Sequence, residues 1–515
     1  MATSGIVNAS SCDKQSPTET TSRPKKFFFG VFFDGTSNNM VQKKTAKAFR
    51  KQSKNKDEWE LEVVENNNAS FKDGANQILV KGTGNPAEGY SNVAILHSFY
   101  QGMSKDEFDK CKSEADTWIF NIYVEGAGTD AIYDGDWIDK TYNWKGSVKG
   151  KGHSGVSKLV CKAVAMVRER LKTVAEADHP NTEVHFDVFG FSRGAACARL
   201  FSYLALREGI SQKLNCETEF KDSLAKRYYK SGFLHFLDEF KLKSITVDFL
   251  GLYDTVSSIG GLSVDSYANN VEDYGLHSPS MDKVLNAFQL CAMDEFREHF
   301  GLTDLGNACT KGSNAEIFIP GCHSDVGGGY KTKQYGFTLD ADGIGFPEQA
   351  IHKPSDTLLP LNKDNLLKLG WYTEQDSCWL EHFPAINPIF HRINVLRNIE
   401  SGYSNIPLTM MKNRAVSKLG RQSFKDISQL CPIDNKFAAW SNDLLSLASS
   451  ASGRNWYYPG GSYSSNSYKL LRNYLHFSST ESLGFTPSYY NGKQICRYVY
   501  HGDGNPKRTF TNIAY

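Results

Sequence analysis

The sequence predicts an α/β fold built on a mostly parallel β-sheet. Five runs are nearly continuous in hydrophobicity and rich in β-branched and aromatic residues, which is typical of strands covered on both faces. Helical patterns lie between these runs, and an alternation of strands and helices favours the α/β class. The five runs are residues 27–33, 117–124, 184–189, 245–253 and 315–320.

Helical spacing is clearest between the second and third runs. Apolar residues recur at helical intervals within 154–175, and residues 91–103 predict the start of another helix. Each strand run is followed by residues whose side chains could bind a ligand or take part in catalysis. Because ligands bind at the carboxyl ends of the strands in such sheets, we expect these residues to meet at one edge.

The composition is typical of a soluble globular protein. Of the 515 residues, 40% are hydrophobic and 22% are charged. The net charge of +1 gives no reason to expect a nucleic-acid partner or bulk attraction to anionic membranes. The eleven cysteines form no C-x-x-C pair, which argues against a disulfide scaffold and fits folding in a reducing cytosol. No apolar run is long enough to cross a bilayer, and residues 1–24 lack the apolar stretch of a Sec signal peptide.

Residues 190–194 (GFSRG) form a G-x-S-x-G pentapeptide between the third strand run and a helix start rich in small residues. This order of strand, serine and helix predicts a nucleophile elbow, in which the sharp turn requires glycine or very small residues beside the serine. The serine oxygen then projects from the carboxyl edge of the sheet at a helix N-terminus, which favours developing negative charge. We therefore predict Ser192 as a catalytic nucleophile in an α/β-hydrolase-like sheet.

A serine nucleophile requires a general base and a carboxylate that orients the base. The chain order in α/β-hydrolases is serine, acid, histidine, and the ends of successive strand runs offer Ser192, Asp254 and His323 in that order. Asp248 is the competing carboxylate, but it lies inside its strand run. His323 precedes a glycine-rich loop that could approach a site closely, and His476 is the alternative base.

Backbone N–H groups would have to stabilise the oxyanion of the reaction. Arg193, directly after the nucleophile, supplies one, and we expect the second from Gly35 or Thr36 in the loop after the first strand. A plain Asp-Gly turn is the alternative interpretation of that loop. Gly126 and Gly128 indicate a phosphate-binding loop only weakly, because no G-K-[ST] follows them.

Three other interpretations stay open. One is a metal-assisted phosphodiester hydrolase that uses Asp34, His323 and Asp325 as ligands, although Asp325 could instead orient a neighbouring side chain. Another is a non-catalytic adaptor that keeps the hydrolase scaffold. A third is a general carboxylesterase, because a fold does not set the substrate. The serine mechanism itself requires neither a metal nor an organic cofactor.

Taken together, these segments resemble the type VI secretion phospholipase effectors, in the family whose elbow has the sequence GFSRGA. The resemblance covers about residues 27–330 well and the rest thinly. The elbow and the HSDVGGGY block are specific as a pair. The matching segments are 33–36 (FDGT), 38–39 (NN), 91–94 (SNVA), 190–195 (GFSRGA), 251–256 (GLYDTV), 320–330 (PGCHSDVGGGY) and 402–408 (GYSNIPL).

The resemblance implies an antibacterial toxin that hydrolyses membrane phospholipids of rival cells. It implies a serine esterase triad of Ser192, Asp254 and His323 and a phospholipase A reaction, with the A1 or A2 position open. It also implies a protein made in the bacterial cytoplasm and delivered on the secretion spike, without a signal peptide, to the periplasm or membrane surface of the target cell. A cognate immunity protein in the producing cell belongs to the same expectation.

The chain divides into four expected parts. We expect a disordered tail at 1–24, a catalytic domain at 25–335 with a charged insertion at 40–90, and a mainly helical region at 336–490. At 491–515 we expect a tail and a returning strand, residues 494–500, that rejoins the main sheet. The helical region is interpreted as a lid or membrane-docking module, in which the aromatic loop from Trp456 to Tyr468 could lie at a lipid interface. Packing of that loop on the core is the alternative.

Overall fold

The structure is a computed structural model. It describes residues 25–36, 38, 90–103, 116–127, 156–172, 181–206, 240–258, 283–330, 349–352, 367, 370–371, 377–382, 391–396, 399, 402–421, 423–478, 488–490, 494–500 and 509–511. The tail at 1–24, the charged insertion at 40–89, Gly128 and the stretch 207–239 lie outside the described residues.

A parallel sheet forms the core of the protein. Within the described residues it has seven strands in the order β11-β7-β5-β4-β3-β1-β2, and every adjacent pair is parallel. This confirms the predicted α/β class, and the five predicted runs correspond to β1–β4 and β7. The strands are β1 (Lys25–Phe33), β2 (Thr117–Val124), β3 (Thr182–Phe191), β4 (Ser244–Tyr253), β5 (Ala287–Ala292), β7 (Ala315–Ile319) and β11 (Gly453–Trp456).

Helices cover both faces of this sheet. Helices α2 and α3 pack on one face, and α1, α5 and α6 pack on the other. Alternate residues of β1 supply both layers, with Phe27 and Phe29 in one apolar cluster and Phe32 in the other, as the two-residue repeat of a strand requires. The helices are α1 (Asn92–Phe99), α2 (Val156–Leu171), α3 (Arg193–Leu206), α4 (His323–Gly327), α5 (Asn405–Leu419), α6 (Ala438–Ser450) and α7 (Asn466–Arg472).

Two strands of the main sheet have no counterpart in the sequence analysis. Strand β5 lies between β4 and β7, and β11 extends the sheet beyond β7. The polar side chain of Gln289 interrupts the short apolar run of β5, and it is satisfied by a hydrogen bond from its amide to Glu316 at 2.7 Å. Arg454 fixes β11 through two buried carboxylates, at 2.5 Å from Asp304 and 2.8 Å from Glu316.

The expected returning strand is present as β13 (Gln494–Tyr500), but its expected place in the main sheet is wrong. It pairs antiparallel with β12 and β14 and parallel with β6. In the main sheet β11 occupies the edge beside β7, and the late strand belongs to a second small sheet, which the bridge between Val256 and Leu302 joins to the segment after β4. Its partners are β6 (Leu302–Thr303), β12 (Ser488–Tyr490) and β14 (Thr509–Thr511).

The region 336–490 contains helices α5, α6 and α7 together with a three-stranded antiparallel sheet. Helix α5 contacts β4 and β5 directly, so this region contributes to the core. In the aromatic loop, Tyr468 is fully buried while Trp456 stacks on Phe318 and remains 45% exposed. The lid or membrane-docking function stays a prediction. The sheet consists of β8 (Gln349–His352), β9 (Ser377–His382) and β10 (His391–Leu396).

No helix in the part of the chain that the structure describes is long and apolar enough to cross a membrane.

We expect Arg454→Ala to destabilise the protein by about 3 kcal/mol, because it leaves two buried carboxylates without their cation. Urea unfolding followed by circular dichroism measures this loss. Lys436→Ala is the control, since Lys436 pairs at 3.6 Å with the exposed Asp434 and lies over the rings of Phe437 and Tyr474, contacts whose loss should cost no more than about 1 kcal/mol. Equal effects of the two substitutions would contradict the assigned role of Arg454.

Candidate active site

The turn predicted as a nucleophile elbow lies between β3 and α3. Ser192 has a φ of 60°, a left-handed backbone conformation that is unusual for a residue with a side chain and typical of strained functional turns. Its N–H donates to the carbonyl of Tyr253 at 3.0 Å, and its carbonyl accepts from Val256 at 3.2 Å. The elbow is therefore tied on both sides to the carboxyl end of β4, where Asp254 lies.

Glycines make this tight turn sterically possible. A Cβ added at Gly190 would lie 2.4 Å from the carbonyl oxygen of Gly194. A Cβ added at Gly194 would lie 2.3 Å from the carbonyl oxygen of Asp34. Both distances are far below van der Waals contact, so the elbow and the loop after β1 pack with no room for side chains at these positions.

Asp254 and His323 form a buried pair at the same edge. The distance from His323 Nδ1 to Asp254 Oδ2 is 2.6 Å, and neither side chain is more than 4% exposed. Asp254 follows β4 with a φ of 48°, and its Oδ1 accepts from the backbone N–H of Ala292 at 2.8 Å. The imidazole ring lies between Phe191, with ring centres 4.5 Å apart, and Phe300, at 5.0 Å.

A third group in this cluster, Arg497, was not found from the sequence. Its guanidinium binds both oxygens of Asp254, with Nη1 at 2.6 Å from Oδ1 and Nη2 at 2.8 Å from Oδ2. Arg497 and Asp254 are both 0% exposed. The arginine is on β13, so no local motif points to it.

The charges in the cluster set its protonation. Burial alone would raise the pKa of Asp254, but the charge of Arg497 and the hydrogen bond from His323 outweigh burial and hold this pKa well below its usual range. Burial lowers the pKa of His323 below 6.5, although the hydrogen bond and charge of Asp254 oppose the decrease. The pair is thus an ionised carboxylate beside a neutral imidazole near pH 7.

The residues that the sequence offered as alternatives for the triad, together with Asp325, have hydrogen-bond partners outside the Asp254–His323 pair. Asp325 is bound to His476, with Oδ1 2.7 Å from Nδ1, and its Oδ2 accepts from the His476 N–H at 2.9 Å. The His476 ring also stacks on Tyr330. Asp248 lies within β4 and is 3.1 Å from Nδ1 of His185. Asp325 therefore orients the ring of His476, in agreement with the interpretation that it orients a neighbouring side chain. The histidine that contacts Asp254 is His323 and not the alternative base His476.

The loop after β1 is held by Asp34. This carboxylate accepts hydrogen bonds from the Ser91 hydroxyl at 2.5 Å, the Tyr123 hydroxyl at 2.5 Å and the Gly35 N–H at 2.7 Å. A Cβ on Gly35 would lie 2.5 Å from the Phe191 ring, so the loop packs directly against the elbow. Because the Gly35 N–H is engaged by Asp34, Thr36 is the better candidate for an oxyanion donor.

Gly126 supports this loop by close packing. Its N–H donates to the carbonyl of Asn38 at 2.9 Å, and a Cβ on it would lie 1.6 Å from the carbonyl oxygen of Gly35. Asp34, His323 and Asp325, the ligand set of the metal hypothesis, have the separate partners described above. In the described ranges, no group of three or more His, Cys, Asp or Glu side chains is arranged to hold a metal ion.

Comparison with known proteins decides the family. Residues 29–344, more than half of the chain, match the family described as T6SS, Phospholipase effector Tle1-like, catalytic domain. The chain belongs to this Tle1-like family. The resemblance to type VI secretion phospholipase effectors is thereby confirmed. Arg497 lies beyond the matched Tle1-like catalytic domain.

Two solved structures are similar to this Tle1-like chain. The structure of the Tle1 effector bound to the VgrG spike from the type VI secretion system is 19% identical, with a TM-score of 0.46, and covers 92% of this chain and 90% of that one. A crystal structure of an uncharacterized protein from Pseudomonas aeruginosa is 17% identical, with a TM-score of 0.27, and covers 60% of this chain and 42% of that one. No curated protein matches.

Gly190→Ala should disrupt the elbow, because the added Cβ has no space beside the Gly194 carbonyl. We expect a loss of about 1–3 kcal/mol in the free energy of unfolding, together with loss of most ester hydrolysis. Urea unfolding and an ester assay measure both effects. Gly312→Ala is the control, since Gly312 has a φ of +55° but nothing within 4 Å of an added Cβ. A Gly190→Ala variant with activity like the control would contradict the tight elbow.

Proposed function

We propose that this Tle1-like effector is a phospholipase A that hydrolyses carboxylic esters of membrane phospholipids with Ser192, Asp254 and His323. The observation that carries the proposal is the 2.6 Å contact between His323 and Asp254 at the sheet edge where the strained Ser192 turn lies. The three residues come from the ends of different strands, in the chain order of α/β-hydrolases.

The reaction is acyl transfer. His323, held by Asp254 through Nδ1, accepts the hydroxyl proton of Ser192 at Nε2 while the serine oxygen attacks the ester carbonyl. The imidazolium then donates this proton to the leaving lysophospholipid oxygen. A water molecule, deprotonated by the same imidazole, attacks the acyl-enzyme and releases the fatty acid. The neutral state of His323 near pH 7 suits it to the first step.

The oxyanion would be stabilised by backbone N–H groups of Arg193 and Thr36. Arg193 begins α3, so its N–H is in the first turn, where the helix dipole favours negative charge. Thr36 follows Gly35 in the loop that packs on Phe191, and Asp34 fixes this loop. Each such donor contributes about 2.7–4 kcal/mol to lowering the barrier in serine hydrolases.

Membership of the Tle1-like family supports a biological setting for this reaction. As a type VI secretion effector, the protein would be made in a bacterial cytoplasm and delivered to a target cell, where the membrane phospholipids are its substrate. A spike protein as carrier and an immunity protein as neutralising partner belong to this proposal. The aromatic loop of region 336–490, with its half-exposed Trp456, is the segment we propose for contact with lipid.

Mass spectrometry of products from defined phospholipids tests the reaction. Wild type should release free fatty acid and lysophospholipid, and Ser192→Ala should release neither, because the acyl-enzyme cannot form. Phospholipids with different acyl chains at the two positions then report whether the sn-1 or the sn-2 ester is cleaved. A phosphorylated headgroup as the product would instead support the phosphodiester interpretation. Hydrolysis of short esters without any lipid cleavage would support a general carboxylesterase.

The pH dependence tests the role of His323. The active form is the neutral imidazole, and burial places its pKa below 6.5. The midpoint of the acidic limb of kcat/KM on a water-soluble ester should therefore lie below 6.5, the usual pKa of histidine. Asp254→Asn should lose most of its rate across the whole pH range, because the imidazole loses its orienting carboxylate. An acidic limb whose midpoint lies above pH 6.5 in wild type would argue against this assignment.

A further inference from the structure

We propose that Arg497 is a positioning residue of the active site, so that the late strand β13 completes the catalytic centre built by the Tle1-like catalytic domain. The inference rests on the proposed serine mechanism and adds a residue to it. It assigns a chemical role to a part of the chain outside the family match, which ends at residue 344.

The geometry of the guanidinium is the first argument. All five N–H groups of Arg497 have acceptors: two on the oxygens of Asp254, one on the carbonyl of Ala292 at 2.8 Å, and two on the carbonyl of Phe300 at 2.8 and 3.0 Å. Two parallel bonds to one carboxylate fix its plane as well as its position. Asp254 is thereby held with one oxygen directed at His323.

The packing of β13 explains how the arginine arrives there. Val499 of this strand is paired with Leu302, and Leu302 forms a bridge with Val256, two residues after Asp254. The backbone N–H of Asp304 also donates to the carbonyl of Tyr500 at 3.0 Å. The strand is thus anchored to the same chain segment that carries the catalytic carboxylate.

Charge is the second argument. The charges of Asp254, Glu295 and Arg297 act on His323, and Glu295 and Arg297 are bound to each other at 2.8–2.9 Å. Arg497 acts on the Asp254–His323 pair through Asp254, because it binds both carboxylate oxygens and its charge lowers the pKa of this group. The nearby Cys291 stays a neutral thiol, because burial raises its pKa far above its usual value.

Removal of the positive charge of Arg497 should change the proton affinity of the Asp254–His323 pair in one direction only. Without Arg497, the Asp254–His323 pair binds a proton more tightly, whichever of the two groups holds it. At neutral pH a larger fraction of the pair is then protonated and cannot act as a base. Arg497 would hence act in two ways, by fixing the carboxylate and by keeping the imidazole neutral.

Arg497→Gln is the decisive variant, with Arg414→Gln as its matched control. Arg414 is also buried and donates to the carbonyls of Ser313, Ala448, Ser449 and Ala451, but these acceptors are remote from the catalytic edge. Both substitutions remove a buried arginine that ties the chain together. Arg497 binds the carboxylate of Asp254, whereas the contacts given for Arg414 are to backbone carbonyls and to the Phe288 ring.

The rate measurements use the full chain and a water-soluble p-nitrophenyl ester. For Arg497→Gln we expect the acidic limb of kcat/KM to move up by about 1–3 pH units, and kcat at neutral pH to fall at least about tenfold with KM little changed. Arg414→Gln should keep the wild-type limb even where its melting temperature falls. Arg497→Lys keeps the charge but has only three donors, so its limb should return towards wild type while kcat stays low.

A measurement that needs no activity separates this inference from the proposed function. In protein labelled with ¹⁵N-histidine, the titration of His323, assigned by its loss in His323→Gln, should move to higher pH in Arg497→Gln and not in Arg414→Gln. Full activity of Ser192→Ala would overturn the serine mechanism, while this titration would still test Arg497. An unchanged titration, or equal shifts in both variants, overturns the inference. Should Arg497→Gln fail to fold, wild-type kcat in Arg497→Lys overturns it.

Discussion

The organisation of this site depends on one buried carboxylate. Asp254 receives hydrogen bonds from an imidazole on α4, a guanidinium on β13 and a backbone N–H at the end of β5. A carboxylate that is 0% exposed is stable as an anion only when such donors surround it. The hydrogen bonds that stabilise the charge of Asp254 therefore connect α4, β13 and the end of β5 at a single edge of the sheet.

A second buried carboxylate organises the other side of the elbow. Asp34 binds the hydroxyl groups of Ser91 and Tyr123 and the N–H of Gly35, and so connects the ends of β1 and β2 to the start of α1. The elbow is packed between these two carboxyl groups, with Gly194 against the carbonyl of Asp34 and Ser192 against Tyr253. Its strained backbone is held in place because neither side can move without breaking the hydrogen bonds of a buried carboxyl group.

The parts of the fold that follow from local sequence could be predicted. Strands β1–β4 and β7 are long or nearly continuous apolar runs, and the elbow has a compact motif beside one of them. Strand β5 could not be predicted in the same way, because Gln289 breaks its short run and becomes satisfied only through Glu316. The prediction that β13 joins the main sheet was wrong. The edge of that sheet beside β7 is taken by β11, which is fixed by tertiary ion pairs of Arg454 and so leaves no local signal in the sequence.

In the site, too, the residues with a local sequence signal could be predicted and those fixed by long-range contacts could not. Ser192, Asp254 and His323 were proposed together from chain order and strand ends, and the structure places Asp254 and His323 in contact. Arg497 could not be found, because its partner is 243 residues away and no motif surrounds it. The Asp325–His476 pair spans 151 residues and is equally invisible to local patterns. Contacts between residues so far apart in the chain become visible only in the folded structure.

The position of Arg497 also bears on the order of events during synthesis. A ribosome adds about 5–20 residues each second, so the guanidinium emerges many seconds after the elbow serine. An unfinished chain that ends before Arg497 already carries Ser192 and Asp254 but lacks the guanidinium that binds both carboxylate oxygens. In the role proposed for Arg497, such a chain would not yet hold the carboxylate in its working position.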